Sequence, residues 1–299
     1  MAPSITLRET PGDKSTLREL ADILPSRVEH TEGSNRPARN PGGRSPWLSS
    51  VRTAVARMVR SAAPAQRRRA PRNEPVVIIG AGGHASVVID AIQKQGQLAI
   101  FGIIDDLPQQ RGQEVLGYPI LGGREVLTDV SVPRRAVIAI GSTDAREAWM
   151  SYLVDLGFEL PTVLHPSAQI GSGVSIGCGT VLLAGSIVSS RSRLGRCVIV
   201  NTGASVDHDC LIGDLVHIAP GAHLAGGVHV GRRSHIGIGA SVVQRIEIGS
   251  EVILGAGAAA IDSIPSGTTA VGVPARVVSR HSNDATALQS VAIRSSDSA

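Results

Sequence analysis

The sequence predicts a small α/β unit followed by an all-β domain built by repetition, and three observations predict it. Between Val76 and Ile140, short aliphatic stretches alternate with a glycine turn and segments of helical period. From Ile170 onward an aliphatic residue recurs at every sixth position. Apolar residues make up 42% of the chain, yet aromatics only 2%, so the interior is expected to hold small aliphatic side chains in regular layers.

Residues 1–74 are rich in Pro, Ser, Arg and Gly, lack sustained periodicity and are expected to be a disordered basic extension. One exception lies at Trp47–Val59, where Trp47, Val51, Val55, Met58 and Val59 share a helical face, as in a marginal helix or a weak membrane-surface or partner helix. Met58 is an alternative start. The net charge of +4 is the sum of +7 on residues 1–74 and −3 on the remainder. The folded part is therefore mildly acidic and poor in stacking rings, which argues against nucleic acid as a partner. No run of 18 apolar residues is present, so no transmembrane segment is expected. The N-terminus lacks an apolar signal core, which points to a cytoplasmic protein. Cys178, Cys197 and Cys210 fit neither a disulfide framework nor a metal spacing and read as packing residues in the repeat.

The α/β unit is placed at 75–162. Val76–Ile79 forms a strand that leads into the glycine turn Gly80–Ala85, and Ser86–Gln95 reads as a helix. A second strand ends at Asp106, and a third apolar stretch, Ala136–Ile140, precedes a helix over Asp144–Leu156. The alternation is that of a Rossmann-like parallel fold. The turn matches G-x-G-x-x-A, whose backbone N–H groups and helix dipole suit a phosphate, and Asp105 and Asp106 end the next strand as a ribose contact would. Alone, these features indicate NAD or FAD. The unit of about 85 residues is too short for the second mononucleotide half.

The repeat is placed at 163–276, with a disordered tail at 277–299. Stepping by six from Ile170 to Leu254 meets fifteen consecutive Ile, Leu or Val residues, a register with a chance probability on the order of one in a billion. Small residues or Val sit two positions earlier, and glycine is frequent one position later, where it is expected to serve the turn.

Five histidines fall between Ile170 and Leu254. His217, His223, His229 and His235 are six apart, just before the aliphatic residue, and alternation along a strand points them outward. His208 stands outside that series, directly before Asp209; an imidazole oriented by a carboxylate suits general base catalysis.

The hexad rhythm resembles the hexapeptide-repeat family, which implies a left-handed parallel β-helix in which three hexads make one triangular coil. A narrower resemblance covers about Val76 to Arg276: I-I-G-A-G-G-H-A at 78–85, I-D-D at 104–106, L-H-P-S-A at 164–168, N-T-G-A-S-V-D-H-D-C at 201–210 and V-G-V-P-A-R at 271–276. These motifs look like the nucleotide-sugar acetyltransferases of the bacillosamine and perosamine pathways and the sialic-acid O-acetyltransferases. The resemblance implies a homotrimer using acetyl-CoA as co-substrate on a nucleotide-linked amino sugar, with no resident cofactor or metal. It implies His208 as general base, Asp209 as its orienting carboxylate and Asn201 as a substrate contact. Gly82, Gly83, His84, Asp105 and Asp106 would bind the sugar nucleotide rather than NAD. His217, Gly226, Gly237, Gly255 and Pro274 would contact acetyl-CoA, with the Gly226 N–H facing the oxyanion.

Two other functions compete with acyl transfer to an amine, besides O-acetylation at the same site. A zinc enzyme of the γ-carbonic-anhydrase type would share the β-helix, but the histidine series spreads over three faces and lacks that family's spacing. A non-catalytic nucleotide-binding protein would not need the His208–Asp209 pair.

Overall fold

In the computed structural model the described residues are 73–281. The expected basic extension, its Trp47–Val59 segment and most of the expected C-terminal tail lie outside them. The chain opens with β1 (Glu74–Ile79), α1 (Gly83–Gln95) and β2 (Leu98–Ile104), followed by β3 (Glu114–Val115), β4 (Tyr118–Gly122), β5 (Ala136–Ile138) and α2 (Thr143–Asp155). The sheet order is β3-β4-β2-β1-β5, with β2 and β5 parallel to β1, β4 parallel to β2, and β3 an antiparallel edge on β4. Val76, Val77, Ile78 and Ile79 are all fully buried because β1 is central and covered on both faces, which is why the run is uninterruptedly aliphatic.

Helix α1 begins three residues earlier than the sequence suggested, so Gly83 and His84 belong to its first turn and Gly82 is the N-cap. The helix ends at Gly96 in the left-handed conformation, whose N–H donates to Ile92 O. The β3–β4 hairpin was not expected either, being short and without a clear hydrophobic alternation.

The second part is a left-handed parallel β-helix. Two-residue strands begin at every sixth residue from Val163 to Ala259. From Val163–Leu164 to Ser241–Val242 each pairs with the strand 18 residues on, as in Ile199↔His217↔His235, so the strands make three faces. Face one carries Val181, Ile199, His217, His235 and Ile253; face two carries Ile187, Ser205, His223 and Ser241; face three carries Arg193, Leu211, His229 and Glu247.

From Leu182 to Leu254 the six-step aliphatic residues fill the prism and are at most 4% exposed. Ile170 (43% exposed) and Ile176 do not meet that expectation, since their strands are the edges of faces two and three and nothing among the described residues pairs with them from below. The residues two positions earlier form a second inward layer. Buried hydroxyls there reach the carbonyl of the next coil, as in Ser192 Oγ to Asp207 O (2.6 Å) and Ser234 Oγ to Gly249 O (2.7 Å).

The corner chemistry departs from expectation. The residue at positive φ comes three positions after the aliphatic one, at every sixth residue from Gly173 to Gly257, and includes Arg191, Asp209 and Arg245. The glycine immediately after the aliphatic residue has another purpose. A Cβ on Gly213 would lie 2.6 Å from Arg232 N, so that position lets one coil stack on the next. Of the cysteines, only Cys210 lines the prism. Cys197 is a buried corner residue at φ 51° and Cys178 is exposed, so the packing role expected for all three holds for two.

The α/β unit sits on face one. One of its cores joins α1 residues Val88, Ile89 and Ile92 to Val163, Val181 and Leu183; the other joins Trp149, Met150 and Leu153 of α2 to Cys197 and Leu215. Arg146, 1% exposed, donates to four carbonyls, Cys197 O and Leu215 O of the coils and Ile140 O and Gly141 O before α2. Ion pairs of Arg232 with Glu147 (2.6 Å) and of Arg233 with Asp144 and Glu147 tie the start of α2 to a corner. At the far end, Thr268–Val271 and Arg276–Arg280 form an antiparallel ribbon, so the boundary expected at residue 276 falls inside a strand.

Candidate active site

The glycine turn opens a cavity of about 350 Å³ lined by Gly82, Gly83, His84, Asp105, Asp106 and Trp149, among others. A Cβ on Gly82 or Gly83 would meet nothing within 4 Å among the described residues, so their packing does not require glycine there. The space lies over the first turn of α1, whose N–H groups and dipole suit an anion. Asp105 accepts from Ala81 N (2.8 Å) and Leu107 N (2.9 Å), which makes it a brace of the turn. Asp106 pairs with Arg124 (2.8 Å), and the Arg124 guanidinium lies 4.4 Å from the centre of the Trp149 ring.

His84 projects from α1 toward face one, where its ring centre is 6.3 Å from that of His217. His217 points away from the prism, as expected, but the α/β unit covers it to 9% exposure. It stacks edge-on with His235 at 4.8 Å. Asn201 Oδ1 accepts from Thr202 N (2.8 Å), so its Nδ2 donates to His217 Nε2 (3.1 Å) and the His217 proton sits on Nδ1. Burial pushes His84 down to about 4, with Arg146 adding to the effect. Burial, then His235, Arg146 and His84, push His217 down to about 3, and His235 is lowered by burial and Arg146. All three rings are neutral near pH 7. Among the described residues no three His, Cys, Asp or Glu side chains converge as a metal would need.

His208 occupies the corner between faces two and three. Its Nδ1 lies 2.7 Å from Asp209 Oδ2, which fixes the Nδ1–H tautomer and leaves Nε2 as the acceptor. Arg191, one coil below, donates to both oxygens of Asp209 at 2.6 Å and holds its carboxyl well below the usual range. Gly226, one coil above, forms the other wall: a Cβ there would lie 2.5 Å from His208 Nε2. Its N–H donates to no protein group among the described residues.

One chain therefore assembles two groups. His84, Asn201, His217 and the glycine turn gather at face one, while His208, Asp209 and Gly226 share the opposite corner. Gly237 and Gly255 stack against the coils beyond them, where a Cβ would lie 2.5 Å from Leu254 O and 2.8 Å from Val271 Cγ1 respectively. Pro274 sits in the exposed turn of the C-terminal ribbon. His223, bonded to Ser205 Oγ (2.8 Å), and His229 are exposed on the other faces.

Residues 75–153 match the family model of the PglD N-terminal domain. The acetyltransferase domain of PglB from Neisseria gonorrhoeae is 38% identical, with a TM-score of 0.64, over 69% of this chain and 100% of that one. The chain belongs to the hexapeptide-repeat nucleotide-sugar acetyltransferases. PerB from Caulobacter crescentus, solved in complex with CoA and GDP-perosamine, is 37% identical with a TM-score of 0.66, over 71% of this chain and all of that one. A curated 4-hydroxy-tetrahydrodipicolinate reductase of Brachyspira hyodysenteriae is 26% identical over 96 residues, and the match spans 42% of its length.

For a hexapeptide-repeat acetyltransferase, the sequence reading missed three side chains at these sites. Arg146 is hidden because a basic residue inside a helix normally faces water. Arg191 lies 18 residues before Asp209, so their pairing emerges only when the chain is wound by coils. His235 was read as surface and instead packs on His217. A scan of the repeat at 18-residue spacing would have found the last two.

Proposed function

We propose that the protein is a cytoplasmic acetyl-CoA-dependent N-acetyltransferase of a nucleotide-linked amino sugar, working as a homotrimer in surface-glycan synthesis. The observation that carries this reading is the His208–Asp209 pair, with Nδ1 bonded to the carboxylate and Nε2 turned to the gap left by Gly226. His208 Nε2 takes the proton of the sugar amine as its nitrogen attacks the thioester carbonyl. The Gly226 N–H stabilises the resulting oxyanion. Collapse of the tetrahedral intermediate breaks the carbon–sulfur bond, and the proton held by His208 passes to the leaving CoA thiolate. The products are an amide and CoA.

The sugar nucleotide is assigned to the cavity over Gly82 and Gly83, with its phosphates at the N-terminus of α1. Neutral His84, which lines it, suits an uncharged polar group rather than a second anion. Because that cavity and His208 lie on different sides of one prism, the complete site needs a second copy of the chain. This supports the trimer.

The test is a free-thiol assay with acetyl-CoA and a panel of UDP-, GDP- and dTDP-linked 4-amino sugars and sialic acid, beside His208→Ala, together with light scattering of the eluting protein. Thiol release with one acceptor, lost by at least about 100-fold in the variant, supports the assignment. Equal release by both proteins, or full turnover by a monomer, overturns it.

A further inference from the structure

The His208–Asp209 pair has a third member that the proposed function does not use. Arg191 is placed by the same winding that places the dyad: it occupies the positive-φ corner position, at φ 63°, and Asp209 occupies that position one coil above, at φ 60°. The corner column reads Gly173, Arg191, Asp209, Gly227, Arg245. The Arg191 stem lies over Gly173, its Cγ at the ordinary contact distance of 3.7 Å from where a Cβ would stand. The planar fork then meets the carboxylate edge-on, Nε to Oδ1 and Nη2 to Oδ2, both at 2.6 Å. Oδ2 is shared, accepting from Arg191 and from His208 Nδ1 at 2.7 Å.

We propose that Arg191 is a positioning residue of the acetyl transfer, clamping Asp209 in the orientation that holds the His208 ring and setting how strongly that carboxylate favours the protonated ring. The inference rests on His208 being the base. A lone carboxylate on an exposed corner has free rotamers and raises the proton affinity of its imidazole. A bidentate guanidinium removes both freedoms: it fixes the rotamer and offsets the charge of the carboxylate that His208 feels. The other charged groups at this corner are Asp207, whose Oδ1 accepts from His208 N at 2.8 Å, and Arg245, whose stem lies over Gly227. The Cys210 thiol beneath the corner, raised by burial, stays neutral. Among the described residues, Arg191 alone of these cations bonds Asp209.

The sign of the effect separates a clamp from a surface staple. Removing the cation leaves the Asp209 charge unopposed beside the ring, so the acid limb of kcat/KM should move to higher pH in Arg191→Gln. The plateau kcat should fall about tenfold as the ring loses its fixed orientation. Arg191→Lys keeps the charge but not the fork, so its limb should stay near that of wild type while the plateau falls. Thermal midpoints of both variants, read alongside, should match wild type, because an exposed ion pair contributes little stability. The measurement is the pH profile of acetyl transfer for wild type, Arg191→Gln, Arg191→Lys and His208→Ala. An Arg191→Gln limb at the wild-type position, with His208→Ala inactive, overturns the role of Arg191 and leaves the parent reading intact. Full activity in His208→Ala overturns the parent reading itself.

Discussion

Gly226 shows how much one absent methyl group can decide. A Cβ at this position would sit 2.5 Å from His208 Nε2, closer than any real contact, and the imidazole would have to swing off its carboxylate. Gly226→Ala should lower kcat by on the order of 100-fold while circular dichroism and the thermal midpoint stay near wild type, since only an exposed ring moves. Arg146 makes the opposite case, a residue whose removal strikes stability. Its guanidinium is held by four carbonyls and, among the described residues, by no carboxylate, and burial pushes it down to about 10. Arg146→Leu orphans those carbonyls and should cost about 3 kcal/mol in urea unfolding. The two groups of the site were not equally readable. His208 and Asp209 are adjacent in sequence, so their pairing could be read directly. His84 and His217 are 133 positions apart, and nothing short of the packed fold brings them together.

At the scale of the elements, the six-residue rhythm was readable because the prism interior admits only aliphatic side chains of one size range, and every strand must supply one. The roles of glycine were not, because two unrelated demands draw on the same residue type. Positions such as Gly213 exclude a Cβ for lack of room, whereas Gly239, at φ 65° with nothing within 4 Å, is glycine for its backbone alone. Gly239→Ala should therefore cost about 1 kcal/mol, and Gly213→Ala, driven into the Arg232 backbone, clearly more. Conversely, Arg245 is exposed at φ 61°, and Arg245→Gly should leave stability unchanged or raise it by up to about 0.5 kcal/mol, the relief of strain being partly offset by chain entropy. Chemical denaturation of the three variants checks the ranking. The β3–β4 hairpin escaped the sequence reading because strands of two and five residues carry too few alternations to reveal a period.

Across the molecule, the histidines at the junction of the α/β unit and face one make stability depend on pH. His84 titrates at about 4 and His217 at about 3 in the fold, both below the 6.5 of a free imidazole. Between those values the unfolded chain binds the more protons, so stability rises with pH. It is fully present above about pH 6.5 and is lost progressively as pH falls toward the folded values, by at most about 1.4 kcal/mol per pH unit for each ring. The thermal midpoint should drop between pH 7 and pH 5, and His217→Gln should flatten that drop. A midpoint independent of pH over this interval would show that the rings are solvated, and hence that the α/β unit does not cover face one.

The winding also constrains how such a chain can change in length. Removing one hexad would turn everything beyond it by a third of a revolution, carrying Asp209 away from Arg191 and every later corner off its predecessor. Removing three would shorten the column by one storey and leave each remaining residue above the partner it had before. Insertions and deletions inside the prism should therefore be tolerated in multiples of 18 residues, while those of other lengths must bulge out at a corner as loops.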